Sequence, residues 1–183
     1  MIWYIYWDAI FMFEPGQSRN TAALRISKCV RLFFEVFIMD ELYMRKALDM
    51  ANRGFKRNDV PVGCVIVKNG KVIAKAYNTK NIKNCSINHA EVLAIKKACK
   101  RLGTWHLDDC TLYVTMEPCL MCCGAIIQSR IKKVVYGASC EKFGYACEVL
   151  NSKKNNHRVD VTGGVLIDDC SLILKRFFSD KRG

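Results

Sequence analysis

PVGCVIVKNGKVIAKAY, residues 61–77, reads as two β-strands and the turn that joins them. Pro61 opens a run of strand length, Val62-Gly63-Cys64-Val65-Ile66-Val67, rich in β-branched residues. Asn69-Gly70 supplies the two positive-φ residues that a two-residue hairpin turn needs, and Lys71 to Tyr77 is the return strand. Upstream, Met44, Leu48, Ala51 and Phe55 recur at i, i+4, i+7 and i+11, which predicts a helix over residues 40–56. The acidic pair Asp40 and Glu41 suits its start. Downstream, residues 78–88 form a polar loop, and Ala90, Leu93, Ala94 and Ala98 share one face of a helix over residues 89–101. A short buried strand over residues 111–115 follows, then Pro118 at the first position of a helix over roughly 119–129. Residues 133–136 are a strand, a glycine-containing loop follows, and residues 159–162 are another strand. Asp168 caps a last helix that runs through Phe178. A hairpin followed by βαβ crossovers makes an α/β fold: a five-stranded mixed sheet with helices on both faces.

The 183 residues suffice for one domain with an appendage. A composition 51% hydrophobic and 25% charged excludes wholesale disorder, and three prolines with 11 glycines exclude collagen-like and linker-like chains. Lys+Arg outnumber Asp+Glu by 29 to 17, and the net charge of +12 favours a polyanionic partner. Eleven cysteines in a chain of this length do not make a disulfide scaffold. Cys29, Cys64, Cys99, Cys110 and Cys170 stand in apolar or helix-like contexts, where a free thiol packs as a small hydrophobe, so a reducing, cytoplasmic compartment is expected.

The start of the chain differs from the rest. Residues 1–13 are an aromatic apolar run, too short to span a bilayer and interrupted by Asp8. They lack the basic flank and cleavage site of a signal peptide. Residues 1–38 carry four basic and three acidic residues and only one lysine, Lys28, so nearly all the excess positive charge lies further on. The shift at Met39 predicts an N-terminal extension, residues 1–38, not native or poorly ordered, ahead of a functional domain over residues 39–183. A membrane-surface anchor would need an amphipathic face with a basic side, which is poorly developed here, and no membrane partner is expected.

Two predicted helix starts carry the chemistry: His89-Ala90-Glu91, and Glu117-Pro118-Cys119-Leu120-Met121-Cys122. Cys119 and Cys122, three residues apart, share a helix face in the first turn, where free N–H groups favour thiolates. Two thiolates and one imidazole leave the fourth position of a tetrahedral zinc open to water, whose pKa zinc lowers toward about 7. Glu91, two residues from His89, is placed to take that water's proton and hand it to a leaving amine. H-x-E followed by P-C-x-x-C is the signature of zinc nucleobase deaminases. A lone C-x-x-C could be a redox pair or half of a structural zinc site, but no second Cys pair stands at matching spacing. Cys123 points about 100° away from Cys122 and reads as a core thiol that could stand in at a damaged site. Cys85 is the alternative fourth ligand, one that would remove the open position, and His106 and His157 read as structural or surface groups.

From about Asp40 to Phe178 the chain resembles the bacterial tRNA-specific adenosine deaminases of the cytidine deaminase-like zinc superfamily. The resemblance extends beyond the zinc motif to Val60-Pro61-Val62-Gly63, Asn78, and Leu112 through Cys119. It continues in Ser129-Arg130-Ile131, Tyr136-Gly137-Ala138 and Asn156-His157-Arg158-Val159. It implies a three-layer α/β/α fold, a homodimer, and hydrolytic deamination of the wobble adenosine of a tRNA anticodon loop to inosine. It further implies one zinc ion per subunit on His89, Cys119 and Cys122, with Glu91 as proton shuttle. Asn78 would hydrogen-bond the flipped purine, and the backbone N–H groups of Ala90 and Cys119 would lie near the base. Arg130, Lys132, Lys142, Lys175 and Arg176 are candidate contacts to the tRNA anticodon stem-loop, since basic residues recur late in the chain. Phe177 and Phe178 stack near that loop or pack in the core. Cys140 stands where the family often has an acidic residue, and Tyr145 and Cys147 where small residues are usual, which bears on sequence preference around the adenosine. Two alternatives stay open: a zinc deaminase of a free base or nucleoside such as guanine or cytidine, and a non-catalytic RNA-binding zinc module.

Overall fold

A computed structural model describes residues 19–142 and 144–181; the aromatic run of residues 1–13 lies outside them. In chain order the elements are α1 (Arg19–Lys56), β1 (Gly63–Lys68), β2 (Lys71–Tyr77), α2 (Ala90–Leu102), β3 (Cys110–Met116), α3 (Leu120–Gln128), β4 (Lys133–Ala138), α4 (Ala146–Leu150), β5 (Asp160–Thr162) and α5 (Ile167–Ser179). The sheet has five strands in the order β2-β1-β3-β4-β5. β1 runs antiparallel to both neighbours, and β3, β4 and β5 run parallel. The hairpin turn has the expected positive φ at Asn69 (49°) and Gly70 (71°).

Alternate side chains of β1 enter two different cores, as strand periodicity requires. Cys64 and Ile66 pack with Ala90, Ala94 and Ala98 of α2 and Ile126 of α3. Val65 and Val67 pack with Met44, Ala47 and Met50 of α1 and Cys170 of α5. The result is the three-layer α/β/α architecture with a mixed sheet. Cys64, Cys110 and Cys170 are buried thiols, whereas Cys99 is partly exposed; the Cys29 side chain lies outside the described residues.

Several local expectations are corrected. The helix expected over residues 40–56 is the last part of α1, which begins at Arg19. Asp40 is therefore not a helix-start charge. It is 7% exposed, and its carboxylate accepts hydrogen bonds from Tyr113 Oη on β3 (2.7 Å) and Lys133 Nζ on β4 (2.8 Å). Pro118 precedes α3 rather than opening it, because Cys119 takes the N-cap position. Leu166, in the left-handed region at φ 52°, holds the N-cap position of α5, and Asp168 sits in the first turn. The loop after β4 contains α4, which is too short to show a hydrophobic period. Phe177 packs edge-on against Phe55 and is buried, whereas Phe178 is exposed.

The chain divides into two units, Met1–Met39 and Asp40–Gly183. In the first, the helix exposes Val30, Phe34, Phe37 and Ile38, and Arg31 Nε pairs with Glu35 Oε1 at 3.1 Å. Among the described residues, no helix is long and apolar enough to cross a membrane.

Gly63 sets how closely β1 lies on α1. A Cβ there would overlap the Ala47 carbonyl oxygen and the Ala51 amide nitrogen, neither of which belongs to a flexible side chain. Gly63→Ala is expected to lower the free energy of unfolding by about 3 kcal/mol, the upper part of the usual overpacking cost. The check is the urea midpoint at unchanged m-value; an unshifted midpoint would contradict the close contact.

Candidate active site

The C-terminal edge of the parallel strands is where α/β sheets place their sites. Here β3 ends at Met116, and the chain turns through Glu117-Pro118 into α3. His89 occupies the N-cap position of α2 with φ −74° and ψ 152°, and Cys119 that of α3 with φ −74° and ψ 169°. Both backbones are extended, and neither side chain caps its own helix. The imidazole and the thiol are thereby directed at each other.

His89 Nδ1 lies 3.6 Å from Cys119 Sγ and 3.6 Å from Cys122 Sγ. All three donor atoms lie within 4.8 Å of one another, the one such group of three among the described residues. Tetrahedral coordination with Zn–S near 2.3 Å and Zn–N near 2.0–2.1 Å separates nitrogen from sulfur by about 3.6 Å. The donor set therefore fits a zinc-sized divalent cation. Its electrostatics agree. Hydrogen bonds from Cys122 and His89 hold the Cys119 thiol down at about 4, while Cys122, bonded to Cys119 and buried, is pushed far up. A cation held by these donors would replace the thiol proton. Contact with Cys119 raises the imidazole of His89 against the opposing effect of burial.

Glu91, in the first turn of α2, is 4% exposed, and its buried Oε2 has no hydrogen-bond partner among the described residues. Burial raises its pKa above the ordinary carboxylate value. Ala90 is buried and opens α2, so its N–H is one of the helix-start donors without an intrahelical acceptor. Asn78, at 5% exposure, follows β2, and its Nδ2 donates to Asp59 Oδ1 at 2.7 Å.

Other sequence candidates stand elsewhere. Cys85 lies outside the donor group, and Cys123 is a buried thiol facing the Pro118 carbonyl, with burial pushing it up to about 12. His106 pairs with Asp108, and His157 Nε2 lies 2.8 Å from the Ile131 carbonyl. Arg130 and Lys132 follow the far end of the nine-residue α3, which rises about 13 Å from Cys119. Lys142 is exposed in the loop after β4, and Lys175 and Arg176 are exposed on α5.

The sequence reading assigns no role to three charged residues. Asp59 is fully buried and bonded to Asn78. Lys80 lies close enough for its charge to oppose protonation of His89. Glu117 Oε2 accepts the Cys140 N–H at 3.1 Å and its Oε1 the Ala146 N–H at 3.3 Å. A Cβ on Gly144 would overlap that carboxylate, and the Tyr145 N–H donates to the Pro118 carbonyl at 3.2 Å. The one available signal is position: Asp59 immediately precedes Val60-Pro61-Val62-Gly63, and Glu117 opens the motif that contains Cys119.

An α/β/α sandwich whose two helix starts join His-x-Glu to Pro-Cys-x-x-Cys defines a nucleobase deaminase. Residues 38–182 match the MafB19-like deaminase family. The chain is 45% identical over 146 residues to the tRNA-specific adenosine deaminase of Bacillus subtilis (strain 168), a match covering 78% of this chain and 91% of that relative. Among solved structures it is similar to a tRNA:A34 deaminase studied for A-to-I editing at the wobble position of transfer RNA. That match has a TM-score of 0.69 at 36% identity and covers 72% of this chain and 97% of the other. It is also similar to a guanine deaminase from Nitrosomonas europaea, with a TM-score of 0.66 at 25% identity over 76% of this chain and 84% of the other. The chain belongs to the family of tRNA-specific adenosine deaminases.

Metal titration separates the donors from the other cysteines. Metal-free protein is expected to bind one Zn²⁺ per chain, and Cys85→Ser and Cys123→Ser to bind it equally well. His89→Ala, Cys119→Ser and Cys122→Ser should each weaken binding by at least about a hundredfold, the most that even outer partners of a ligand are worth. Competition with a chromophoric chelator reads this out; undiminished affinity in the Cys119→Ser protein would exclude the donor group.

Proposed function

We propose that the protein converts the wobble adenosine of a tRNA anticodon loop to inosine, with zinc held by His89, Cys119 and Cys122. The observation that carries this reading is the buried, unpartnered Oε2 of Glu91 next to three convergent metal donors. Such an atom is costly to folding unless a substrate or solvent proton completes it.

A zinc ion on these donors supplies the Lewis acidity that makes water nucleophilic at neutral pH. Glu91 Oε2 takes the proton that the attacking water loses and passes it to the purine. The C6–O bond forms, the C6–N bond breaks, and the second proton of the water leaves with the amine as ammonia. Burial assists Glu91, because a raised carboxyl pKa fits a group that must both accept and donate near neutral pH. Asn78 and the Ala90 N–H hold the base. An adenine in an anticodon loop is unpaired, so turning it into the site costs little.

Family membership supports tRNA as the partner, and so does the net charge of +12. Arg130, Lys132, Lys142, Lys175 and Arg176 serve as phosphate contacts in this reading, distributed over the surface. The functional unit is a cytoplasmic homodimer with one zinc ion per subunit. Residues 39–183 form the deaminase domain and residues 1–38 an N-terminal extension.

Two measurements test the proposal. Glu91→Gln is expected to lower inosine formation about a thousandfold while the protein keeps its zinc; retained activity would remove Glu91 from the reaction. The parent protein should deaminate an anticodon stem-loop in strong preference to free adenosine, guanine or cytidine. Its affinity should fall steeply between 50 and 200 mM salt, by about a thousandfold if some six phosphates are contacted. Efficient, salt-insensitive turnover of a free base or nucleoside would replace the tRNA reading. Tight RNA binding by a zinc-loaded protein that makes no inosine would leave only the non-catalytic module.

A further inference from the structure

We propose that Asp59 is a positioning residue that fixes the side-chain amide of Asn78 in the orientation needed to meet the nucleobase. The proposal rests on reading Asn78 as a base contact. Asp59 is fully buried and enters no ion pair among the described residues. Its charge is met by N–H donors alone. Oδ1 accepts from the Val60 N–H at 2.9 Å and from Asn78 Nδ2 at 2.7 Å. Oδ2 accepts from the Asn81 N–H at 2.9 Å and the Ile82 N–H at 3.0 Å.

A carboxylate only accepts hydrogen bonds. Opposite it, the Asn78 amide has one stable orientation, with Nδ2 toward Asp59 and Oδ1 on the other edge. A neutral amide at position 59 would lose that selectivity. It could keep its oxygen on Asn81 and Ile82, but its NH₂ would then face Val60 and Asn78, donor against donor, and Asn78 would turn over. The placement of Asn78 is equally constrained. Its N–H donates to the Val62 carbonyl at 3.0 Å, and the next residue, Thr79, donates to the carbonyl of Asn88 at 3.0 Å, one position before His89. The backbone at 78–79 is thereby tied to the segment that delivers His89 to the donor group. Asp59 is hidden from solvent and meets the Asn78 amide directly.

The test is a double-mutant cycle on zinc-loaded protein with an anticodon stem-loop as substrate: parent, Asp59→Asn, Asn78→Ala and the double variant. Zinc content and melting temperature are measured alongside. Asn78→Ala should lower kcat/KM, and Asp59→Asn should lower it about tenfold to a hundredfold, the range for groups that orient site residues. In the Asn78→Ala background, Asp59→Asn should cost less than about twofold more, because its effect passes through Asn78. Should Asp59→Asn fail to fold, Asp59→Glu, which keeps an acceptor-only group but moves it, enters the same cycle with the same expectation of non-additivity. Losses that add across the two positions would overturn the proposal, as would parental kcat/KM in Asp59→Asn. Loss of zinc from Asp59→Asn would transfer the effect to His89 and also overturn it. Unchanged kcat/KM in Asn78→Ala alone would remove the base contact and the positioning role together while leaving the reaction standing. Absence of inosine from the parent protein would instead sink the reaction itself and everything resting on it.

Discussion

The contacts between His89 Nδ1 and the sulfurs of Cys119 and Cys122 join residues 30 and 33 positions apart, and the remainder of the domain makes those contacts possible. α2 and α3 must lie on one face of the sheet, side by side, and start at the same level. Cys64 and Ile66 of β1, Leu112 and Val114 of β3 and Val134 of β4 form the floor beneath both helices. The β1–β3 register, with Cys64 opposite Val114 and Ile66 opposite Leu112, sets the height of each helix start. A slip of one residue in that pairing would turn the floor side chains to the opposite face.

The site departs from the local rules that elsewhere stabilise helices. Neither His89 nor Cys119 caps the helix it begins, although each occupies the position where Ser, Thr, Asp or Asn is favoured. A buried carboxylate oxygen, Glu91 Oε2, has no partner among the described residues. Each departure costs stability, and all occur within one small region, which is where strain and incomplete bonding accumulate when function demands them. The structural half of the domain follows the rules more closely. Asp40, a carboxylate nearly as buried as Glu91, has a phenol bonded to one oxygen and an ammonium to the other.

How much could be read in advance follows from the range over which each interaction acts. The hairpin at Asn69-Gly70, the alternating strands and the paired motifs are signals within a few residues, and all were legible. Asp40 matched the local rule for a helix start, yet its partners lie 73 and 93 residues away. Nothing near Asp59 indicates that it would meet Asn78, 19 residues later, after a strand and its return. The start of α1 was misplaced because the composition changes at Met39 while the helix does not break there. Candidate RNA contacts rest on charge alone, since a lysine on a surface carries no sign of which way that surface faces.

Glu117 has a further consequence for how such a domain can diversify. One carboxylate moors both Cys140 and Ala146, and the same short segment of chain carries Cys119. Both moorings are backbone N–H groups, so they do not depend on which side chains stand at positions 140 and 146. Lengthening or shortening the chain between them would pull on a sulfur of the donor group. A change of length there is therefore a change at the metal donors, whereas an exchange of side chains leaves both moorings in place.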